Sequence, residues 1–157
     1  MFCFLCHHFV KGDIQDHQAV LQFGKGLDAL TIEIEAVNIE ALEKLEAQGV
    51  KIFPTPAALQ TIKNKILQKE FYKARQVNTA DFVIVQDQKD ILRHADRLPA
   101  VNKIAQGGYD GRGVQILKTT DDFTKAFDAP GVLEQMIPIQ KEISQIVAIN
   151  ESGETAL

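Results

Sequence analysis

The feature that most restricts this chain is a run of four glycines within seven residues, Gly107-Gly108-Tyr109-Asp110-Gly111-Arg112-Gly113, set between two short apolar stretches. A tight strand-to-strand connection needs one or two glycines, so four point to a backbone that must come unusually close to something. Such a loop lets successive N–H groups converge on an anion with no Cβ in the way, as phosphate cradles require. It lacks the Gly-Lys-Ser/Thr ending of a P-loop and therefore belongs to another class of nucleotide site. Lys103, on the strand entering the loop, can deliver a point charge to a phosphate, and Arg112 can offer a planar fork. On composition alone, a surface hairpin with incidental charges stands level with that reading.

The rest of the chain sets the context for this loop. With 157 residues, 45% of them hydrophobic, it can bury a real core as one domain or two small ones. Seventeen basic and 21 acidic side chains give a net charge of -4. With no basic block in the sequence, nucleic acid is not an expected partner. No stretch approaches the roughly 20 apolar residues of a membrane span. The first ten residues are too short and too weakly basic for a secretory signal, so a cytoplasmic location is expected. Cys3-Phe4-Leu5-Cys6-His7 fits the C-x-x-C-H haem pattern, but that chemistry needs export, and His17 and His94 stand alone as further metal ligands. The expectation is an apolar strand, Phe2 to Cys6, holding two reduced thiols.

Strand-like runs alternate with helix-period stretches over the first third, which predicts an α/β unit. A helix is expected from Asp16 to Phe23, a strand from Leu30 to Ile34, a helix capped by Asn38 and stopped by Gly49, and a strand from Val50 to Phe53. That order implies a parallel pair. Pro54 and Pro56 mark a boundary, with Thr55 placed to cap a helix beginning at Pro56. Helical periodicity continues through Leu59, Ile62, Ile66 and Phe71, and most of the interspersed lysines read as solvated surface. From Asp81 short β segments dominate: Phe82 to Val85, Val101 to Ile104, Gly113 to Leu117, Val132 to Gln135 and Glu142 to Ile149. Short helices are expected around Asp87 to Ala95 and Thr120 to Phe127. This second part is an α+β lobe with antiparallel pairing and a turn at Gly153.

Gly-Gly-Tyr-Asp-Gly-Arg-Gly preceded by a strand lysine resembles the glycine-rich loop of the ATP-grasp superfamily, in the branch of the 5-(carboxyamino)imidazole ribonucleotide synthases. Supporting matches are Thr31-Ile32-Glu33-Ile34-Glu35, Gln68-Lys69, Val132-Leu133-Glu134-Gln135 and Lys141-Glu142-Ile143-Ser144, and the likeness covers about residues 7 to 157. The fold it implies is a partial parallel, Rossmann-like pre-ATP-grasp domain over 1–54. The N-terminal part of an ATP-grasp domain follows over 55–157, with a helical linker at 55–80 and a nucleotide-lid part at 81–157. The resemblance implies that Lys65 and Lys103 contact nucleotide phosphates while Gly107, Gly108, Gly111 and Gly113 close over them. Glu134 and Gln135 would meet the adenine with the backbone near Ile137, and Glu142 the ribose hydroxyls. The family usually has arginine at the position of Lys65, which keeps the charge but loses the fork. Glu35, beyond a strand's C-terminal end, is a substrate-side candidate.

The activity implied is ATP-dependent carboxylation of 5-aminoimidazole ribonucleotide with bicarbonate, through carboxyphosphate. Magnesium and cationic side chains would neutralise the transferring phosphoryl group. Tyr109, Asp110 and Arg112 are the residues implied to touch bicarbonate or the intermediate. The family's opening glycine-rich turn and its later acidic magnesium ligands have no counterpart here. The expectation is therefore a segment without both ends, inactive alone and homodimeric when intact. A different ATP-grasp ligase and a non-catalytic nucleotide-binding module are the alternatives.

Overall fold

The computed structural model describes residues 7–108, 112–150 and 152–156. The strand expected at Phe2 to Cys6 lies outside them, as do Tyr109, Asp110 and Gly111.

Asp16 caps the first helix, α1 (His17–Gly24), by accepting the Ala19 amide at 2.6 Å. Strand β1 (Ala29–Thr31) leads to α2 (Ile39–Ala47), then to β2 (Lys51–Phe53), and the two strands pair in parallel. Gly49 stops α2 with φ +94°, a conformation open to glycine at little cost. The expected strand from Leu30 to Ile34 is shorter than its pattern. Its final rung is the Ile32 amide on the Phe53 carbonyl at 2.8 Å, and Ile34 is 51% exposed. The apolar-polar alternation runs on past the last residue that has a partner strand. Leu30, Leu42, Leu45, Ile52 and Leu59 form the first core.

Asn38 does more than cap α2. Its Oδ1 accepts the Ala41 amide at 2.9 Å, and its Nδ2 donates to the Gln15 carbonyl at 3.1 Å, which ties the α1 approach to the helix. Asn38→Ala is expected to destabilise the chain by about 1 kcal/mol or somewhat more, measured by urea denaturation.

The periodicity between Leu59 and Phe71 is carried by two helices, α3 (Pro56–Lys63) and α4 (Lys65–Ala74). Asn64 separates them: its Oδ1 accepts the amides of Ile66 at 2.9 Å and Leu67 at 3.3 Å and so begins α4 afresh. Thr55 caps α3 with Pro56 at its first position, as expected.

The second unit is a four-stranded sheet of β3 (Phe82–Val85), β4 (Ala100–Ile104), β5 (Val114–Leu117) and β6 (Gly131–Gln135) in the order β3-β6-β4-β5, antiparallel throughout. One face, with Val85, Ala100, Leu117 and Leu133, packs on Ile91 of α5 (Gln88–Leu92) and on Phe123 and Ala126. Asn102 is fully buried there and satisfied, accepting the Phe127 amide at 2.9 Å and donating to the Val132 carbonyl at 3.4 Å. Glu142 to Ile149, expected as one strand, is irregular until Ala148. Only Ala148–Ile149 pairs, with Thr155–Ala156 around Gly153. Among the described residues no strand lies beside 142–147, and Ile143 is 93% exposed.

The helix expected over Thr120 to Phe127 is a 3₁₀ turn, Thr120–Lys125, closed by a capping box between Thr119 and Asp122. The Lys125 ammonium, helped by the Lys118 and Thr119 amides, lowers the Asp122 carboxyl from 3.8 to about 2. A depressed carboxyl stabilises the fold above its unfolded value, and that contribution disappears as pH falls through the folded one. Acid unfolding followed by circular dichroism is therefore expected to steepen between about pH 4 and pH 2 in the wild-type chain, and to flatten in Asp122→Asn.

Candidate functional site

The sheet's other face carries the charges. Across β4 and β6 the register sets Val101 opposite Glu134 and Lys103 opposite Val132, which makes Lys103 and Glu134 diagonal neighbours on one face. Lys103 Nζ meets Glu134 Oε2 at 2.8 Å. Helix α4 lies over this face, its N-terminus fixed by the Lys65 amide on the carbonyl of Ala105 at 2.8 Å, one residue past β4. One helical turn further, Lys69 Nζ reaches Glu134 Oε1 at 3.2 Å. The same ammonium donates to Thr79 Oγ1 and stands 5.5 Å from the centre of the Phe82 ring.

Lys69 and Glu134 are each only 6% exposed, whereas the side chain of Lys103 is 31% exposed. A buried carboxylate must be paired, and Glu134 has a cation on each oxygen. Two ammonium groups against one carboxylate leave the cluster with an excess positive charge beside the root of the glycine loop. Lys65 adds another cation there, with Nζ 3.3 Å from Gln68 Oε1.

The loop narrows to a neck. The Ile104 amide donates to the Gly113 carbonyl at 3.0 Å. Gly113 has φ +83°, and a Cβ on it would stand 2.7 Å from Ile104 Cγ1 and 2.9 Å from Gly108 Cα. A Cβ on Gly108 would stand 2.9 Å from the Arg112 carbonyl oxygen. Two of the four glycines are thus required by close approach of the loop's own strands, while Gly107, at φ +81°, faces open space. Arg112 is exposed just beyond the neck.

The structure therefore places Lys65, Lys103 and the described loop glycines at the Ile104 end of β4, whereas Glu134 and Gln135 lie opposite Val101 and Ala100 toward its other end, Glu134 reaching Lys103 through its side chain. The Gln135 amide is already taken by the Asp81 carbonyl at 2.8 Å, so among its backbone groups the carbonyl is the freer for a ligand. Ile137 and Glu142 lie exposed in the irregular segment after β6, and Glu35 lies exposed past β1 in the first unit. Among the described residues no hydrogen bond or ion pair links these three to the lysine cluster. Tyr109, Asp110 and Gly111 lie outside the described residues. Lys69 enters the sequence reading only in the Gln68-Lys69 match and is given no site role there, because a lysine in a lysine-rich helix reads as solvated; that match and its i, i+4 spacing from Lys65 were the available signals.

Magnesium, which ATP chemistry implies, takes hard oxygen donors. The cluster does not supply them: both Glu134 oxygens are held by lysines, and among the described residues no group of three His, Cys, Asp or Glu is placed to hold a metal. No helix among the described residues is long and apolar enough to cross a membrane.

A parallel βαβ unit followed by an antiparallel sheet, with a glycine-rich stretch of sequence between β4 and β5, is the arrangement expected of a pre-ATP-grasp unit followed by part of an ATP-grasp unit. Residues 3–63 match the ribonucleotide synthetase preATP-grasp domain and residues 70–157, more than half of the chain, match the ATP-grasp domain. The chain belongs to the ATP-grasp family. It is 28% identical to the N5-carboxyaminoimidazole ribonucleotide synthase of Staphylococcus epidermidis, over 97% of this chain and 42% of that protein. Among solved structures it superposes with TM-score 0.81 and 32% identity on the Thermotoga maritima N5-carboxyaminoimidazole ribonucleotide synthetase, covering 92% of this chain and 39% of that one. The Staphylococcus aureus N5-carboxyaminoimidazole synthetase complexed with ADP gives TM-score 0.85 at 25% identity, covering 97% and 42%. The chain thus spans about two fifths of the length of the relatives it matches.

Proposed function

We propose that this chain provides nucleotide-binding machinery for the ATP-dependent carboxylation of 5-aminoimidazole ribonucleotide with bicarbonate, which yields N5-carboxyaminoimidazole ribonucleotide for purine synthesis. The observation that carries the reading is the Lys69–Glu134–Lys103 cluster, a partly buried surplus of positive charge at the root of a glycine-rich loop. Its likeness to synthetase structures, one of them an ADP complex, supports the same reading.

In this reading Lys103 and Lys65 bind the phosphates and the loop from Gly107 to Gly113 closes over them to exclude water. Glu134 and Gln135 border the adenine, with the Ile137 backbone beside it and Glu142 on the ribose hydroxyls. Tyr109, Asp110 and Arg112 are assigned to contact with bicarbonate or the carboxyphosphate formed from it. Glu35 is assigned to the substrate side. Magnesium accompanies the nucleotide, with ligands other than this cluster. A cytoplasmic setting and a homodimer belong to the same proposal.

Because the cluster contributes cations and no metal ligand, the 157-residue chain is expected to bind ATP with magnesium without turning it over. Titration calorimetry should show binding that weakens about tenfold or more in Lys103→Met, the size of one charge-assisted contact. Binding indifferent to Lys103 would remove the phosphate assignment. Turnover by this chain with bicarbonate and aminoimidazole ribonucleotide would remove the division of labour between this cluster and the metal.

A further inference from the structure

The two lysines on Glu134 are not equivalent. Lys69 is held by three features, the Glu134 carboxylate, the Thr79 hydroxyl and the Phe82 ring, and is almost completely enclosed. Among the described residues Lys103 has one side-chain partner, Glu134 Oε2, and about a third of its side chain faces solvent. If Lys103 moved to a ligand, Oε2 would be left without its cation. A carboxylate as enclosed as Glu134 tolerates that only if another positive charge stays in place.

We infer that Lys69 is a positioning residue for the nucleotide site: it is the resident counter-ion of Glu134, and by remaining there it makes Lys103 exchangeable between Glu134 and an incoming polyphosphate. The inference rests on the nucleotide reading above and deepens it. Without Lys69, Glu134 would depend on Lys103 alone. Lys103 would then be drawn onto the carboxylate and withheld from the ligand, with the cluster's surplus charge gone.

The test is graded acetylation of the 157-residue chain with acetic anhydride, reading Lys103 modification by peptide mass spectrometry with and without ATP and magnesium. Wild-type Lys103 should be protected by the nucleotide. In Lys69→Met, Lys103 should be acetylated about fivefold more slowly in the absence of nucleotide and gain little further protection from it, the low end of coupling between sites. Lys69→Arg, which restores the charge, should return both readouts toward wild type, a rescue that loss of packing alone would not give. Should Lys69→Met fail to fold by circular dichroism, Lys69→Gln, which keeps a polar N–H donor without the charge, carries the same comparison. Unchanged Lys103 reactivity in the uncharged variant, with nucleotide protection intact, overturns the inference and leaves the nucleotide site standing. Absence of nucleotide protection in the wild-type chain overturns the site and the inference together.

Discussion

Glu134→Ala is expected to cost about 3–5 kcal/mol in urea unfolding, a large share of the stability of a chain this size, because it strands Lys69 as a buried charge. Lys69 is 6% exposed and would keep only the Thr79 hydroxyl and the Phe82 ring. Neither carries a negative charge. Lys103→Met should cost far less, since that side chain is partly solvated and Glu134 would retain Lys69. The decisive comparison is the double variant Lys69→Met with Glu134→Leu, which removes both buried charges. It should recover most of the stability lost by Glu134→Ala, because the cost lies in the unpaired charge and not in a missing attraction. A single-variant loss below about 1 kcal/mol would show that water reaches Lys69 and that the pair is not enclosed.

Gly131→Ala is expected to damage the sheet itself. A Cβ at this position would lie 2.2 Å from the backbone oxygen of Lys103, 3.1 Å from its carbonyl carbon and 3.2 Å from Ile104 Cα. These are main-chain atoms in a paired strand, with Ile104 opposite Gly131, and no side chain can rotate away to relieve them. The overlap should cost about 3 kcal/mol, at the upper end of overpacking penalties. It should also push β4 from β6 where Lys103 leaves the sheet, so nucleotide affinity should fall beyond what the stability loss explains. Denaturation and calorimetry on the same sample separate the two effects. An alanine variant with unchanged stability would show that the two strands do not approach as described.

The parts of this fold legible in the sequence were those fixed by local chemistry. Asp16, Asn38 and Thr55 begin helices where capping residues should, and Gly49 and Gly153 turn the chain where positive φ is needed. The parts that were not legible depend on partners far away in sequence. Nothing in Thr31 to Glu35 says that pairing ends when β2 runs out, and nothing local in Glu142 to Val147 says that no neighbouring strand accompanies it among the described residues. Asn64 is a cap hidden inside a continuous apolar rhythm, which blurred two helices into one pattern.

The site shows the same division. The glycine loop and Lys103 announced themselves by composition and position, and the family resemblance pointed to Glu134. Lys69 did not, because its identity as a buried cation exists only once α4 is laid across β6. The glycine count also had two origins that a sequence cannot separate: Gly108 and Gly113 are demanded by the neck of the loop, and Gly107 is not demanded by any neighbour.

Asn64 sits between two anchored neighbours. On one side Lys63 Nζ donates to the Val37 carbonyl at 3.2 Å in the first unit, and on the other the Lys65 amide donates to the Ala105 carbonyl at 2.8 Å in the second. Asn64 thus has an anchor to each half on either side, the first through a lysine side chain and the second through the backbone. Lys63 closes α3 and Lys65 opens α4, so a change in the angle between these two helices would pass through the torsions of Asn64.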